Sequence, residues 1–281
     1  MSNYNTHEEI VKDTIKVGIK KAGKPWYKTL LFGILAGAFI AIGAQGSNFA
    51  IHGISDYGIA KTVAGVIFPV GLMMIVFVGG ELFTGNCLLI MATLDKKIKA
   101  SQMVKNLTLV YIGNLIGALF IALLINGSGQ LDTSHGLLGA YTIKVAAAKV
   151  AIDPMQAFVS GILCNIVVCM AILMASSAKD IAGKAIAMFF PLFVFVVSGF
   201  EHCIANMYYI FSGMMAARNT EYVTQAVQAY GISQEKIDSM TIVNSLKNFI
   251  PVTIGNIIGG VVCIGALIYF LNKEKKVVCC E

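Results

Sequence analysis

The stretch VVSGFEHCIANMYYIF, residues 196–211, decides how this chain is read. Between Lys184 and Arg218 the only formal charge is Glu201, and His202 stands beside it. An unpaired ionisable group is costly in apolar surroundings, so a carboxylate and an imidazole set there need a reason. The surroundings are those of the whole chain: 57% of its 281 residues are hydrophobic and 13% are charged. A soluble globular domain has roughly a quarter of its residues charged. Six apolar runs, at about 27–50, 62–94, 106–126, 154–176, 185–215 and 249–271, suit a bilayer core that takes about 20 helical residues to cross. They are too long for barrel strands of about 10 residues. The predicted fold is an all-α integral membrane protein with six transmembrane helices.

Charge sets the orientation. With six crossings and the N-terminus in the cytoplasm, fifteen of the 21 Lys and Arg fall on the inner side, as the positive-inside rule expects. The reading is a multi-pass protein of the inner (plasma) membrane with both termini cytoplasmic, and its net charge of +6 reflects that orientation, with no nucleic-acid partner. Residues 1–26 lack the apolar core of a signal peptide. Lys12, Lys16 and Lys20 at helical spacing predict an amphipathic segment on the membrane surface. Residues 27–272 form the channel domain and 273–281 a cytoplasmic tail. Cys87, Cys164, Cys169, Cys203 and Cys263 lie in apolar runs as small hydrophobes, and Cys279 and Cys280 end the tail.

The channel domain is a duplication, with repeats at 27–126 and 154–271. GIL at 33–35 returns at 161–163, and VIFPV at 66–70 is answered by MFFPL at 188–192. Glu81 with Asn86 five residues on is answered by Glu201 with Asn206, and GNLIGA at 113–118 by GNIIGG at 255–260. Three crossings per half is an odd number, so the halves insert upside down relative to each other. Inverted repeats put the transport path at their interface and build it from interrupted helices. The second and fifth runs carry the interruptions: Pro69 or Pro191 early, then Gly79-Gly80 or Ser198-Gly199 just before the Glu.

Glu81 and Glu201, with Asn86 and Asn206, are therefore read as staples of the two breaks, the carboxylates accepting from freed backbone N–H groups. His202 differs, because Leu82 holds its place in the first half. An imidazole kept once on a duplicated scaffold suggests one central task, and Thr84 can offer a hydroxyl across the same site. The residues propose no catalytic group, metal site or cofactor. A neutral-solute channel of aquaporin type should show two Asn-Pro-Ala boxes, and the five Pro make none. An intramembrane enzyme needs a nucleophile or metal set, and no such motif occurs.

GGELFTGN (79–86), GNLIGALF (113–120), SGFEHCIANMY (198–208) and NFIPVTIGN (248–256) resemble the signatures of the formate/nitrite transporter family, across residues 25–271. ELFTGNC and the lysine-rich N-terminus resemble its hydrosulfide-channel branch. The resemblance implies a homo-pentamer of aquaporin-like protomers, each passing small monovalent anions of weak acids: hydrosulfide, formate or nitrite. It implies constrictions at Phe68, Leu72, Leu82, Val168 and Phe195, and a polar pore site of His202, Thr84 and Asn165. It implies a vestibule lysine at Lys149, with Lys144 the lesser candidate, and a gating N-terminal helix at about 5–24 that carries Lys16. The expected mechanism is protonation of the anion at His202 or in the vestibule, then passage of the neutral acid through apolar rings. On this reading His202→Asn alters the pH profile, and Lys149→Glu depresses flux with the fold intact.

Overall fold

The computed structural model describes residues 4–272; the expected tail at 273–281, with Cys279 and Cys280, lies outside them. Helix α1 (His7–Ala22) starts at a reciprocal cap in which Thr6 Oγ1 accepts from Glu9 N–H and Glu9 accepts from Thr6 N–H. The first crossing is α2 (Trp26–Ile51). The second is α3 (Tyr57–Ile67), α4 (Val70–Val78), a break, then the short α5 (Phe83–Asn86) and α6 (Leu89–Leu94). The third is α7 (Ala100–Gly127), after which α8 (Leu137–Val150) precedes the fourth, α9 (Pro154–Ser177). The fifth is α10 (Ile181–Val197), a break, and α11 (Cys203–Ala216). Helices α12 (Thr220–Tyr230) and α13 (Gln234–Asp238) lead into the sixth, which runs from α14 (Ile242–Ile257) through a π-helical stretch (Ile258–Ala266) into α15 (Leu267–Asn272).

This is the expected all-α architecture, with the second and fifth crossings interrupted. Each break turns on a glycine with positive φ, Gly79 at 113° and Gly199 at 69°, which a side chain would disfavour. The two prolines are not equivalent. Pro69 separates α3 from α4, whereas Pro191 lies inside an unbroken α10, so the glycines interrupt the chain there and Pro191 does not.

The repeated GN(L/I)IG segments explain the packing. A Cβ at Gly117 would overlap the Ile34 carbonyl of α2, and one at Gly259 the Ile162 carbonyl of α9. Small residues let backbones approach in a membrane, where burying apolar surface gives little drive. Outward-facing Leu31, Leu35, Phe120, Leu123, Ile250 and Val262 remain exposed, as suits contact with lipid or neighbouring chains.

Two segments depart from expectation. The polar stretch 216–248, for which the sequence suggests no role beyond covering the pore mouth, is helical: α12 packs on α8, burying Tyr222, Ala226, Leu138 and Ile143 in a satellite core. Tyr222 donates to Asp132, and Tyr230 donates to the His52 carbonyl at 2.6 Å. The N-terminal helix does not simply lie on a bilayer surface. Val11 is buried in the main core, and Asn5 is tied to the end of α9 through its N–H to Ser177 O (2.8 Å) and its amide to Ser176 O (2.9 Å).

Candidate functional site

The site grows from the two breaks, which are built alike. Asn114 of α7 accepts from Phe83 N–H (3.0 Å) and donates to Gly33 O (2.7 Å) and Glu81 O (2.9 Å). Asn256 of α14 repeats this, accepting from Cys203 N–H (3.0 Å) and donating to Gly161 O (2.7 Å) and Glu201 O (3.0 Å). The freed backbone groups are thus satisfied by asparagine, which corrects the expectation that the two carboxylates accept from them. Each carboxylate holds side chains instead. Glu81 accepts from Asn86 (2.8 Å) and Lys24 (2.6 Å) and pairs with Lys21 (3.0 Å). Glu201 accepts from Asn206 (2.7 Å), Asn248 (3.3 Å) and Lys149. Asn86 and Asn206 in turn donate to Asn106 and Asn248, each at 2.8 Å.

The motif matches found Asn86 and Asn206, but the roles of Asn106, Asn114, Asn248 and Asn256 were missed. Their signal is Asn-x6-Gly-Asn, present at 106–114 and again at 248–256. Lysines Lys21 and Lys24 were also missed as site residues. Lys21 precedes Lys149 by 128 positions, the offset of the GIL pair, so α1 is the first-half counterpart of α8.

Between the breaks, Thr84 Oγ1 lies 3.0 Å from His202 Nε2. His202 caps α11: its Nδ1 accepts from Ala205 N–H at 3.1 Å. That bond fixes the neutral ring with its proton on Nε2, since a second proton on Nδ1 would face another N–H. Asn165 is fully buried with its amide committed to Thr84 O (3.3 Å) and Asn256 O (2.6 Å). It braces the two halves rather than offering a free donor to the path. Gly260 leaves the room it needs, because a Cβ there would strike Asn165 Nδ2.

Two cavities approach this centre. The larger, of about 430 Å³, lies on the α8 side and reaches His202, Phe68 and Phe195. The Phe68 and Phe195 rings meet edge to face at 5.5 Å, and Phe195 is 5.9 Å from the His202 ring. The smaller, of about 110 Å³, lies under α1 between Lys21, Gly85 and Asn86. Leu72, Leu82 and Val168, the other expected constrictions, are buried and line neither cavity. Lys16, the residue expected on a gating helix, points outward and pairs with Asp13 at 2.9 Å; Lys21 is the residue of α1 that reaches the break.

Lys149 does line the larger cavity, but its charge is balanced by the buried Glu201. Reversing it to Glu would set two carboxylates together in a desolvated place, so the expectation of an intact fold is withdrawn. Among the described residues no cluster of His, Cys, Asp and Glu is suited to a metal.

The sequence profile described as formate/nitrite transporter matches residues 8–270. The chain is 38% identical to the formate channel FocA of Haemophilus influenzae over 90% of its own length and 89% of that protein's. It is 38% identical to the formate channel FocA of Escherichia coli, over 93% and 92%. Its fold matches a solved pentameric formate channel with formate bound at a TM-score of 0.77 and 31% identity, covering 89% of this chain and 98% of that one. The chain belongs to the formate/nitrite transporter family.

Proposed function

We propose that the chain forms a homo-pentamer whose protomers each pass small monovalent anions of weak acids, with formate the first substrate to test and nitrite and hydrosulfide beside it. The α1 side is the cytoplasmic one, where the lysine-rich segments gather, and the membrane is the cell's inner one. The observation that carries the reading is the Thr84–His202 pair, a hydrogen-bonding centre between two lysine-bearing cavities. A bare anion is poorly accommodated among Leu72, Leu82, Val168, Phe68 and Phe195. The anion therefore crosses as its neutral acid.

The capping bond at Nδ1 changes where the proton comes from. A ring whose single proton sits on Nε2 can donate a hydrogen bond but cannot release that proton without leaving an imidazolate. The proton is taken from water in the vestibule, and His202 and Thr84 hold the permeant in the centre. Flux then rises as pH falls, along the titration of the permeating acid itself. Replacing His202 by Asn keeps a capping side chain but loses the Nε2 donor. Proteoliposome flux in His202→Asn should fall roughly tenfold, the worth of one buried hydrogen bond, with the pH midpoint unchanged and still different for formate and hydrosulfide. A midpoint displaced by the substitution would mean that the ring itself takes up the proton. Passage of glycerol in place of any anion would overturn the anion reading.

A further inference from the structure

The α8-side vestibule holds three lysines, Lys61, Lys144 and Lys149, against one carboxylate, Glu201. Lys149 is neutralised by that carboxylate. The Lys144 ammonium lies over two rings, 5.4 Å from the centre of Tyr141 and 4.6 Å from that of Tyr230. Lys61 lies over the Tyr57 ring at 5.6 Å and has no ion-pair partner among the described residues. Its head turns inward: a side chain at Gly199, inside the second break, would come within 3.4 Å of Lys61 Nζ. The vestibule therefore carries an uncompensated positive charge just above the strand of backbone that leads to Glu201 and His202.

A second observation lies on the same wall. Asn48 of α2 is 3% exposed, lines this cavity, and its side-chain Nδ2 has no hydrogen-bond partner. A buried amide donor left unpaired carries its full desolvation penalty, so such a group points to something that accepts from it. Its neighbour Ser47 donates to Ala64 O at 3.2 Å, which pins this turn of α2 to the turn of α3 that carries Lys61 three residues earlier. One charged and one neutral donor thus line one cavity from the packed helices α2 and α3, with no acceptor assigned to either. The other open polar atom there, Asn206 Oδ1, is an acceptor on the side of Glu201 and steers an anion away from that wall.

We propose that Lys61 and Asn48 form an anion subsite in this vestibule, taking a small carboxylate that bridges the two donors. The proposal rests on the reading of the chain as an anion channel and narrows it. A carboxylate offers each donor its own oxygen, whereas hydrosulfide offers both the same sulfur, a weaker acceptor. The vestibule thereby stages formate-like anions ahead of the Phe68–Phe195 pair and favours them over hydrosulfide at low concentration.

The test is the concentration dependence of initial flux in proteoliposomes, for formate and for hydrosulfide, with the full-length wild type, Lys61→Gln, Lys61→Arg and Asn48→Ala. Lys61→Gln should raise the half-saturating formate concentration roughly tenfold, as loss of a charge-assisted hydrogen bond implies. Maximal flux should be retained, Lys61→Arg should restore the wild-type value, and hydrosulfide should shift much less. Equal shifts for both anions would reveal a general field effect and overturn the subsite, as would an unchanged formate value in Lys61→Gln. Broadening of the carbon-13 formate resonance by the detergent-solubilised protein reads binding without transport. Broadening lost in Lys61→Gln, in a protein that passes no formate, would retain the subsite and overturn the channel reading instead.

Discussion

The first and second breaks share a skeleton and differ in what fills it. In both, an asparagine from the third helix of the repeat caps the resumed half-helix, and a glutamate holds an Asn–Asn pair. In the first, two lysines close on Glu81 and Lys21 also donates to Asn86 Oδ1 at 2.6 Å. In the second, one lysine closes on Glu201 and Asn206 Oδ1 stays open. The residue that starts the half-helix is Leu82 in one and His202 in the other, and Thr84 faces His202 where the repeat would put Ile204. What is duplicated is structural, and what is not duplicated gathers at the centre and in the α8-side vestibule. That division of labour is the comparison to attack.

The largest effect should come from the shared part. Asn114→Leu and Asn256→Leu each remove three buried hydrogen bonds and strand one backbone N–H and one carbonyl of the break, while the Gly33 and Gly161 carbonyls lie within helices α2 and α9. Each should lose about 3–5 kcal/mol, since every stranded group carries its own desolvation penalty. Thermal unfolding in detergent should show similar drops for both. A large drop in one variant and none in the other would mean that the two caps are not equivalent, and the shared-skeleton reading would fall.

Next come the carboxylates, where the halves should separate. Glu201→Gln strands Lys149, whose side chain is 19% exposed. Glu81→Gln removes the counter-charge of Lys21 and Lys24, at 26% and 19%, with Lys21 keeping its bond to Asn86 Oδ1. Removing one partner of a fully buried pair costs about 3–5 kcal/mol; these lysine heads keep some water, which reduces the loss to roughly 2–3 kcal/mol, greater for Glu81. Adding Lys149→Met to Glu201→Gln should recover most of the stability, because no buried charge then lacks a partner. A double variant as unstable as the single would show that Glu201 acts through Asn206 and Asn248 instead of through the lysine.

How much of this was legible in the sequence follows from the same division. The breaks were legible because glycine beside a lone intramembrane carboxylate has few other uses, and it occurs twice. The capping asparagines were in plain view within GNLIG and GNIIG, yet a polar residue amid apolar neighbours does not state which helix it will serve. Only its bonds to Phe83 or Cys203 do. Helix α8, at 14 residues, is too short to stand out as a crossing; its relation to α1 shows in the 128-residue offset of Lys21 and Lys149. Lys61 and Asn48 carried no pattern at all. What brings them together is the cavity that both line.

The smallest effect tests the likeness of α1 to α8 at one position. The same offset pairs Lys16 with Lys144. Lys144 lies against Tyr141 of its own helix and Tyr230 of α12, and so is held by two rings. Lys16 has nothing folded over it; its side chain is 74% exposed and its Asp13 partner is three residues back on the same helix. A solvated pair of that kind contributes a few tenths of a kcal/mol, while a partly desolvated cation over aromatic rings contributes about 1 kcal/mol. Lys16→Ala should therefore leave both unfolding temperature and formate flux where they were, and Lys144→Ala should lower stability by about 1 kcal/mol. A change of flux in Lys16→Ala with unchanged stability would require α1 to leave its place against α9 during transport and bring that lysine to the path. The first-half helix would then be a moving part, and its second-half partner, roofed by α12, a fixed one.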